Sequence, residues 1–170
     1  MTIVAATGHR PSKLGGYDHK TALALGGLAT EYLTLSRPEK VISGMALGWD
    51  QAVAGAAVAL DIPFIAAVPF EGQESRWPFE SQELYQYLLT MAERVHVVSE
   101  LEHGSSGEAA AAMQRRNEWM VDEADRVVAL WDGSWGGTFN CVRYAEKRGV
   151  PIDNLWRRWS MPKDLRELLG

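Results

Sequence analysis

Residues 40–57, KVISGMALGWDQAVAGAA, pass from a short apolar run into an alanine-rich run through a turn that contains two glycines. Gly44 permits the chain to leave a strand in a conformation that other residues avoid, and Gly48 permits backbone amides to face a ligand. The alanine-rich run is typical of a helix, whose first turn presents unpaired amides and the positive end of its dipole. The stretch therefore predicts a strand, a tight turn and a helix, with a site for a phosphate-bearing ligand at the turn.

The same alternation of apolar runs and helical segments continues along the chain. Strands are expected at residues 2–8, 40–44, 63–70, 94–99, 126–133 and, more weakly, 149–155, and helices near residues 18–35, 49–61, 79–93, 107–124 and 138–148. Ser105 and Glu108 have the spacing of a capping box at the start of the fourth helix. This order predicts an α/β fold, a three-layer α/β/α sandwich whose mainly parallel strands are buried on both faces. No internal repeat or linker divides residues 1–170, so one domain is expected, with a short helix in its C-terminal tail.

Composition excludes several classes of protein. The 170 residues carry 17 Lys and Arg against 22 Asp and Glu, and the net charge of −5 makes nucleic acid and anionic membranes unlikely partners. Cys141 is the single cysteine, so it forms no internal disulfide and is expected to be buried in a helix. The N-terminal residues lack the pattern of a signal peptide, and no apolar run approaches the roughly 20 residues that span a bilayer. A cytoplasmic protein is expected.

The end of the first expected strand, TGHRPSKLGG at residues 7–16, is a second candidate turn, because ligands of such sheets bind beyond the carboxyl ends of the strands. Gly8 permits close backbone approach, His9 lies at the rim, and Arg10 is suited to a phosphate or carboxylate. The alternative is that Arg10 pairs with a surface acid and His9 packs. Asp50, in the first turn of the second helix, either stabilises the helix N-terminus or accepts hydrogen bonds from ligand hydroxyls such as those of ribose.

Two further turns contain candidate binding residues. Gln73 and Trp77 are suited to supply an amide and a stacking face for a base, or else Trp77 and Phe79 pack the next helix onto the sheet. The fifth expected strand runs into LWDGSWGGTFN at residues 130–140, where Gly136, Gly137 and Thr138 form a second glycine-rich turn suited to phosphate. Asp132 in that turn either caps it or acts on a substrate.

One expected helix carries polar residues on its apolar face. Arg116 and Asn117 lie between Met113 and Met120, although a buried arginine is rare unless it is paired. Either the Arg116 side chain extends outward to solvent, or this face borders a polar cleft where both residues meet a ligand. No metal or cofactor is expected, because the histidines fall in different segments without ligand spacing, and no G-x-S-x-G elbow indicates a serine hydrolase.

Five ordered motifs carry a family resemblance: TGHRP, GMALGWDQ, PFEGQESRW, RRNEWMVDEAD and LWDG with GGT. Residues 43–50, SGMALGWD, resemble the SG-x-A-x-G-x-D turn of the SLOG superfamily. This Rossmann-like group includes DprA and the Lonely Guy (LOG) phosphoribohydrolases. The whole set is most similar to its YpsA-like branch and extends from about Thr7 to Pro151. The resemblance implies a Rossmann-like fold, a nucleotide or nucleotide-sugar site along the glycine-rich rim, and a homo-oligomer.

The resemblance does not extend to all the catalytic residues of the LOG reaction. LOG enzymes have a PGGxGTxxE turn whose glutamate helps to cleave an N-glycosidic bond, and here Cys141 stands in the place of that glutamate. Arg116 or Arg115 matches the LOG arginine, and Asp50 or Asp132 is a candidate replacement for the missing carboxylate. The resemblance to DprA implies single-stranded DNA binding, against which the acidic composition weighs.

Three functions remain open on the sequence. The leading hypothesis is a sensor or sequestering protein that binds a nucleotide, an ADP-ribose-like molecule or a nucleotide sugar. The second is a hydrolase that cleaves a nucleoside monophosphate to base and ribose phosphate, with Arg116 on the phosphate and Asp50 or Asp132 as the acid/base group. The third is an interaction protein that recognises a protein partner independently of nucleotides.

Overall fold

The structure is a computed structural model that describes residues 2–101 and 106–168. Its strands are β1 (Ile3–Gly8), β2 (Lys40–Ser43), β3 (Phe64–Val68), β4 (Arg94–Val97), β5 (Arg126–Leu130) and β6 (Ile152–Asn154). Its helices are α1 (His19–Ser36), α2 (Trp49–Ala59), α3 (Phe79–Met91), α4 (Ser106–Asp122), α5 (Gly137–Arg148), α6 (Trp156–Ser160) and α7 (Lys163–Leu168). The predicted strands and helices are all present, and the tail after β6 is helical.

The strands form one parallel sheet in the order β4-β3-β2-β1-β5-β6. β1 pairs with β2 on one side and with β5 on the other, so that Ala5 lies opposite both Ile42 and Val127. From β1 the chain builds outward to β4 and then returns to the other side of β1. The strand order therefore reverses between β1 and β5, which is where a doubly wound sheet opens a crevice at its carboxyl edge.

Helices cover both faces of the sheet, which confirms the predicted three-layer Rossmann-like α/β fold. On one face, α1, α2 and α3 contribute to a core cluster that contains Leu33, Trp49 and Tyr85. On the other face, α4 and α5 contribute to a second cluster with Met120 and Cys141. Full burial of one such large apolar side chain stabilises the fold by about 1.5–3 kcal/mol. Cys141 is buried as predicted.

The prediction that the strands are buried on both faces is wrong at the edge of the sheet. Val95 and Val97 of β4 are 43% and 38% exposed, whereas Val127 and Val128 of β5 are fully buried. The difference arises because β4 has a neighbouring strand on one side only. A short apolar run does not reveal whether its strand becomes central or marginal, since that depends on the strand order.

Local sequence signals explain where several helices begin and end. The Asp18 carboxylate caps α1 by accepting a hydrogen bond from the Thr21 amide at 2.9 Å. Gly149 ends α5 in the left-handed conformation that favours glycine. The predicted capping box of Ser105 and Glu108 depends on Ser105, which lies outside the described residues. Within the ranges that the structure describes, no helix is long and apolar enough to cross a bilayer.

Candidate functional site

A cleft of about 420 Å³ opens at the carboxyl ends of β1 and β5, where the strand order reverses. It is lined by the turn after β1, the start of α2, the middle of α4 and the loop from β5 into α5. The predicted site residues that line it are Gly8, His9, Arg10, Asp50, Arg116, Asn117, Gly136, Gly137 and Thr138. A larger hollow of about 720 Å³ lies between α1, α2 and α3, but the charged side chains that line it are all exposed.

Asp50 brings a buried carboxylate to the cleft. The residue is 5% exposed, and its Oδ1 atom accepts no hydrogen bond from the described residues. Burial raises the pKa of Asp50 to about 6, although the positive charge of Arg116 and the backbone of Ala46 act in the opposite direction. Because an unpaired buried oxygen is costly, this atom is suited to accept a hydrogen bond from a ligand.

Arg116 reaches into the protein from α4 and does not extend to solvent. Its Nε donates to Asn117 Oδ1 at 3.0 Å, and its Nη1 donates to the carbonyl of Gly44. Asn117 Nδ2 in turn donates to the Gly137 carbonyl at 3.3 Å, which connects α4 to the start of α5. Burial lowers the pKa of Arg116, and the negative charge of Asp50 opposes that shift. Arg116 and Asn117 therefore border a polar cleft, as one of the two alternatives for this helix predicts, and their contact with a ligand stays a prediction.

The missing side chain of Gly44 makes room for this guanidinium. A Cβ at Gly44 would lie 2.1 Å from Arg116 Nη1 and 2.8 Å from Asp50 Oδ2. Asp50 and Arg116 thus flank the same glycine, yet they form no direct salt bridge within the described part of the chain. The two opposite charges are attracted to each other while each keeps capacity for a ligand.

The turn between β2 and α2 is braced by its own polar side chains. Met45 has a φ of 60°, a left-handed conformation that is uncommon outside glycine. The Ser43 hydroxyl accepts from the Met45 amide at 3.1 Å and donates to the Asp50 carbonyl at 2.7 Å, while Gln51 Nε2 donates to the Met45 carbonyl at 3.2 Å. These bonds hold the start of α2, and with it the Asp50 side chain, in one position.

The start of α5 presents free backbone donors at the cleft. Gly136 adopts a φ of 149° as the N-cap, and no side chain of the described residues caps the helix. The amides of Gly137, Thr138 and Phe139 have no acceptor in residues 2–101 or 106–168, and the first intrahelical bond comes from Asn140. Unpaired amides at a helix N-terminus form a binding site for anions such as phosphate.

The family of the chain follows from comparison with known proteins. The YpsA family model, described as the YspA SLOG family, matches residues 4–148. The chain belongs to this SLOG family. It is 36% identical over 138 residues to the uncharacterized SPbeta prophage-derived protein YoqJ of Bacillus subtilis, a match that covers 75% of this chain and 80% of YoqJ. It is 23% identical over 180 residues to a UPF0398 protein of Bacillus thuringiensis, covering 99% and 95% of the two chains.

Solved structures share the fold of this SLOG protein. DprA of Helicobacter pylori, whose structure describes a single-stranded DNA binding mode, superposes with a TM-score of 0.62 at 20% identity and covers 99% of this chain and 71% of DprA. DprA of Streptococcus pneumoniae has a TM-score of 0.61 at 18% identity over 89% of this chain and 49% of DprA. The protein TM1055 has a TM-score of 0.54 at 17% identity, covering 89% and 72%. These neighbours give no support to the expectation that nucleic acid is an unlikely ligand.

Other predicted site residues of this SLOG chain have structural partners instead. Gly48 has a φ of 95°, and a Cβ there would lie 2.5 Å from the His9 carbonyl, which also accepts from the Trp49 amide at 3.3 Å. The start of α2 therefore packs against the turn after β1, and Gly48 does not line the cleft. At the start of α2 the Trp49 amide is occupied, while those of Asp50 and Gln51 have no acceptor among the described residues; at the start of α5 the first three amides are all open.

Gln73 and Trp77 lie outside the cleft, on the α3 side of the sheet. Gln73 Nε2 donates to the Tyr85 hydroxyl at 3.2 Å, and the Trp77 ring meets the Tyr85 ring edge-on at 5.4 Å. Trp77 thus packs α3 onto the core, as its structural alternative predicts. Phe79, the other residue in that alternative, is 72% exposed and does not share this role.

Asp132 holds the loop between β5 and α5. Its Oδ1 accepts from the Ser134 amide at 2.9 Å and from the Ser134 hydroxyl, and it lies 2.7 Å from His9 Nε2. Hydrogen bonds from Ser134, and then from His9, hold the pKa of Asp132 below its ordinary value. The carboxylate is committed to these partners, and Asp132 does not line the cleft. The capping alternative therefore describes its contacts better than the catalytic one.

Sequence reasoning missed several lining residues, chiefly Lys13, Ser134, Trp135 and Phe139. Lys13 Nζ donates to the Ser134 hydroxyl at 2.6 Å and so joins the turn after β1 to the loop before α5. The position of Lys13 within the TGHRPSK turn was an available signal. Burial raises the pKa of Cys141 to about 11, so this thiol does not replace the LOG carboxylate.

Proposed function

We propose that this SLOG protein binds a nucleotide-derived ligand in the cleft at the carboxyl ends of β1 and β5. The observation that carries the proposal is the unpartnered Oδ1 of Asp50, a buried acceptor in a cleft that is also lined by residues with free amide donors. A ligand that carries both hydroxyls and a phosphate satisfies both groups. Nucleoside phosphates and nucleotide sugars have this arrangement.

The phosphate is assigned to the start of α5. Its first three amides point from a helix N-terminus, where the dipole favours negative charge by about 0.3–1 kcal/mol. Arg10 and Lys13 add two cations at the same cleft. Arg10 is exposed and carries no salt bridge among the described residues, so it is available to a ligand. Together these groups compensate the phosphate charge although the whole chain carries a net charge of −5.

The ribose is assigned to Asp50 and Arg116. A sugar hydroxyl can donate to Asp50 Oδ1 while its oxygen accepts from the nearby guanidinium. Both residues are held in place before the ligand binds. The Ser43 hydroxyl donates to the Asp50 carbonyl, and the Gly44 carbonyl accepts from the Arg116 guanidinium. Preorganised groups of this kind lower the cost of binding.

A sensor or sequestering role is the primary form of the proposal, because no carboxylate stands at Cys141. The second candidate, hydrolysis of the N-glycosidic bond of a nucleoside monophosphate, is favoured by Asp50 alone. A buried carboxyl with a pKa of about 6 exchanges a proton readily near neutral pH, as a general acid or base requires.

A thermal-shift screen tests the proposal. Nucleoside mono-, di- and triphosphates, NAD, ADP-ribose, cyclic nucleotides and nucleotide sugars are each added to the protein, and the recovered ligand is analysed by mass spectrometry. A ligand at about 100 times its dissociation constant adds roughly 2.7 kcal/mol to the free energy of unfolding. A ligand recovered intact supports the sensor, and release of free base supports the hydrolase. No shift with any compound contradicts both and favours the protein-interaction hypothesis.

A homo-oligomer and a cytoplasmic location are proposed with this function. Leu23, Leu84 and Tyr17 are 63%, 47% and 64% exposed around the hollow between α1 and α3, and apolar side chains in such a patch favour association of subunits. Light scattering after gel filtration measures the mass directly, and a value near the 18.8 kDa of one chain contradicts the oligomer.

A further inference from the structure

Trp135 is the tryptophan most open to solvent in the protein. Its exposed fraction is 82%, whereas the other six tryptophans are buried or half-buried. An indole left in water forgoes the stabilisation that burial of a large apolar side chain provides. The intramolecular contacts of Trp135 therefore do not account for its exposed position.

The loop that carries Trp135 is anchored on both sides of it. Trp131 Nε1 donates to the Ser134 carbonyl at 2.8 Å, and Asp132 and Lys13 bind the amide and hydroxyl of Ser134. On the other side, the Trp135 ring contacts Phe139 of α5 at a centroid distance of 4.2 Å and an angle of 42°. The indole is thus exposed on a braced loop and contacts the first turn of a helix.

The position of the indole relates directly to the phosphate site. Trp135 lines the cleft and precedes by two residues the first of the free amides, at Gly137. A ligand whose phosphate meets those amides brings its neighbouring groups past this ring. Aromatic faces bind nucleobases by stacking, which tolerates any base because every base has a π face.

We propose that the Trp135 indole is the stacking platform for the base of the ligand, so that the cleft recognises a nucleoside 5′-phosphate unit. This inference rests on the proposed function, because it places the phosphate at α5. The unit can belong to a free mononucleotide or to a single-stranded oligonucleotide, and the exposed side of the ring leaves room for a continuing strand. Recognition by stacking predicts modest discrimination between bases.

The test compares Trp135→Ala and Trp135→Phe with the wild-type protein by calorimetric titration. The probes are the four ribonucleoside 5′-monophosphates and ribose 5-phosphate. Trp135→Ala is expected to weaken nucleotide binding about tenfold or more and to leave ribose 5-phosphate unchanged, because only the nucleotides have a base to stack. Trp135→Phe retains an aromatic face and is expected to stay within about threefold of wild type. Phe79→Ala, at an exposed aromatic outside the cleft, is the matched control and changes neither affinity.

Fluorescence adds a readout that a structural role would not change. Nucleotide binding is expected to quench the tryptophan emission of the wild-type protein and to quench Trp135→Phe much less, although that variant still binds. Equal nucleotide affinities in Trp135→Ala and wild type overturn the platform while leaving the proposed function intact. Failure of both the nucleoside monophosphates and ribose 5-phosphate to bind the wild-type protein overturns this inference, and the proposed function is overturned as well only if no compound of the thermal-shift screen binds.

The source of the unit is resolved by one more probe, a 5′-phosphorylated oligodeoxyadenylate. Tighter binding of this strand than of AMP, with the same loss in Trp135→Ala, assigns the platform to a single strand. Tighter binding of AMP assigns it to a free nucleotide. Tight strand binding that is unaffected by Trp135→Ala places the strand elsewhere and overturns the inference.

Discussion

At the scale of single residues, the candidate site is built from groups that oppose folding. Asp50 is a buried carboxylate with an unpaired oxygen, and Met45 is strained beside it. Such features persist when the surrounding structure holds them and a function needs them. Ser43 is the residue that holds both, and its sequence context gave little indication of this role because a serine after an apolar strand is common in turns.

The Asp50 carboxylate predicts a pH-dependent cost to stability. The pKa of Asp50 is about 6 in the folded protein, which is above its value in the unfolded chain, so the folded state keeps the proton to a higher pH. The free energy of unfolding therefore falls as the pH rises from about 4 to about 6. Asp50→Asn cannot ionise. It is expected to match wild type near pH 4 and to exceed it by up to about 3 kcal/mol near pH 8. Urea unfolding across this range measures the difference, and a variant that is less stable than wild type near pH 8 contradicts the assignment.

The close packing at Gly44 gives a second prediction. Gly44→Ala puts a methyl group 2.1 Å from Arg116 Nη1, so the guanidinium must move; we expect a loss of about 1–3 kcal/mol in stability and a loss of nucleotide binding.

Gly55→Ala is the matched control for Gly44→Ala. Apart from its chain neighbours and the backbone of its own helix, no atom of the described residues lies within 4 Å of the added methyl group, and alanine favours helix α2 by about 0.5–1 kcal/mol. This control is expected to bind nucleotide normally with equal or higher stability. Unchanged binding by Gly44→Ala, measured by the same titration, would show that the position of Arg116 is irrelevant to the ligand.

At the scale of elements, the loop from β5 into α5 connects three parts of the cleft. Asp132 is the centre of this connection because it binds Ser134 and His9. Asp132→Ala is expected to accelerate amide hydrogen exchange in residues 133–137 and to weaken nucleotide binding. Ser134→Ala keeps its backbone bond to Asp132 and is expected to have a smaller effect on both measurements. If Asp132→Ala shows normal amide hydrogen exchange but no longer hydrolyses a nucleotide that the wild-type protein cleaves, Asp132 acts in catalysis instead.

The elements themselves were largely predictable from the sequence. Helical periodicity and glycine-rich ends fix elements such as α2 and α5 locally, so their predicted ends are close to the observed ones. Contacts between elements were not predictable in the same way. Gln73 and Trp77 both contact Tyr85, which lies on the helix that follows them. The direction of the Arg116 side chain depends on how α4 packs against the turn after β2.

At the scale of the whole molecule, the strand order creates the cleft. The sequence predicted that the turns after the strands share one edge of the sheet, because parallel strands end together. It did not predict which turns are adjacent. The reversal of order between β1 and β5 brings the turn at Arg10 next to the loop at Trp135, whereas the turn at Gln73 follows β3 and lies away from them.

The proposed site depends on the free amides at the start of α5, which are assigned to the phosphate of the ligand, and one pair of variants at Gly137 tests this assignment. Gly137→Pro removes the first amide donor at a position where proline suits a helix, while Gly137→Ala keeps that donor and fills open space. The measurement is the dissociation constant, by calorimetric titration, of the nucleotide that gives the largest shift in the thermal screen. Binding of the phosphate by these amides predicts about a tenfold or greater loss of affinity in Gly137→Pro and wild-type affinity in Gly137→Ala. Equal affinities in all three proteins would contradict it.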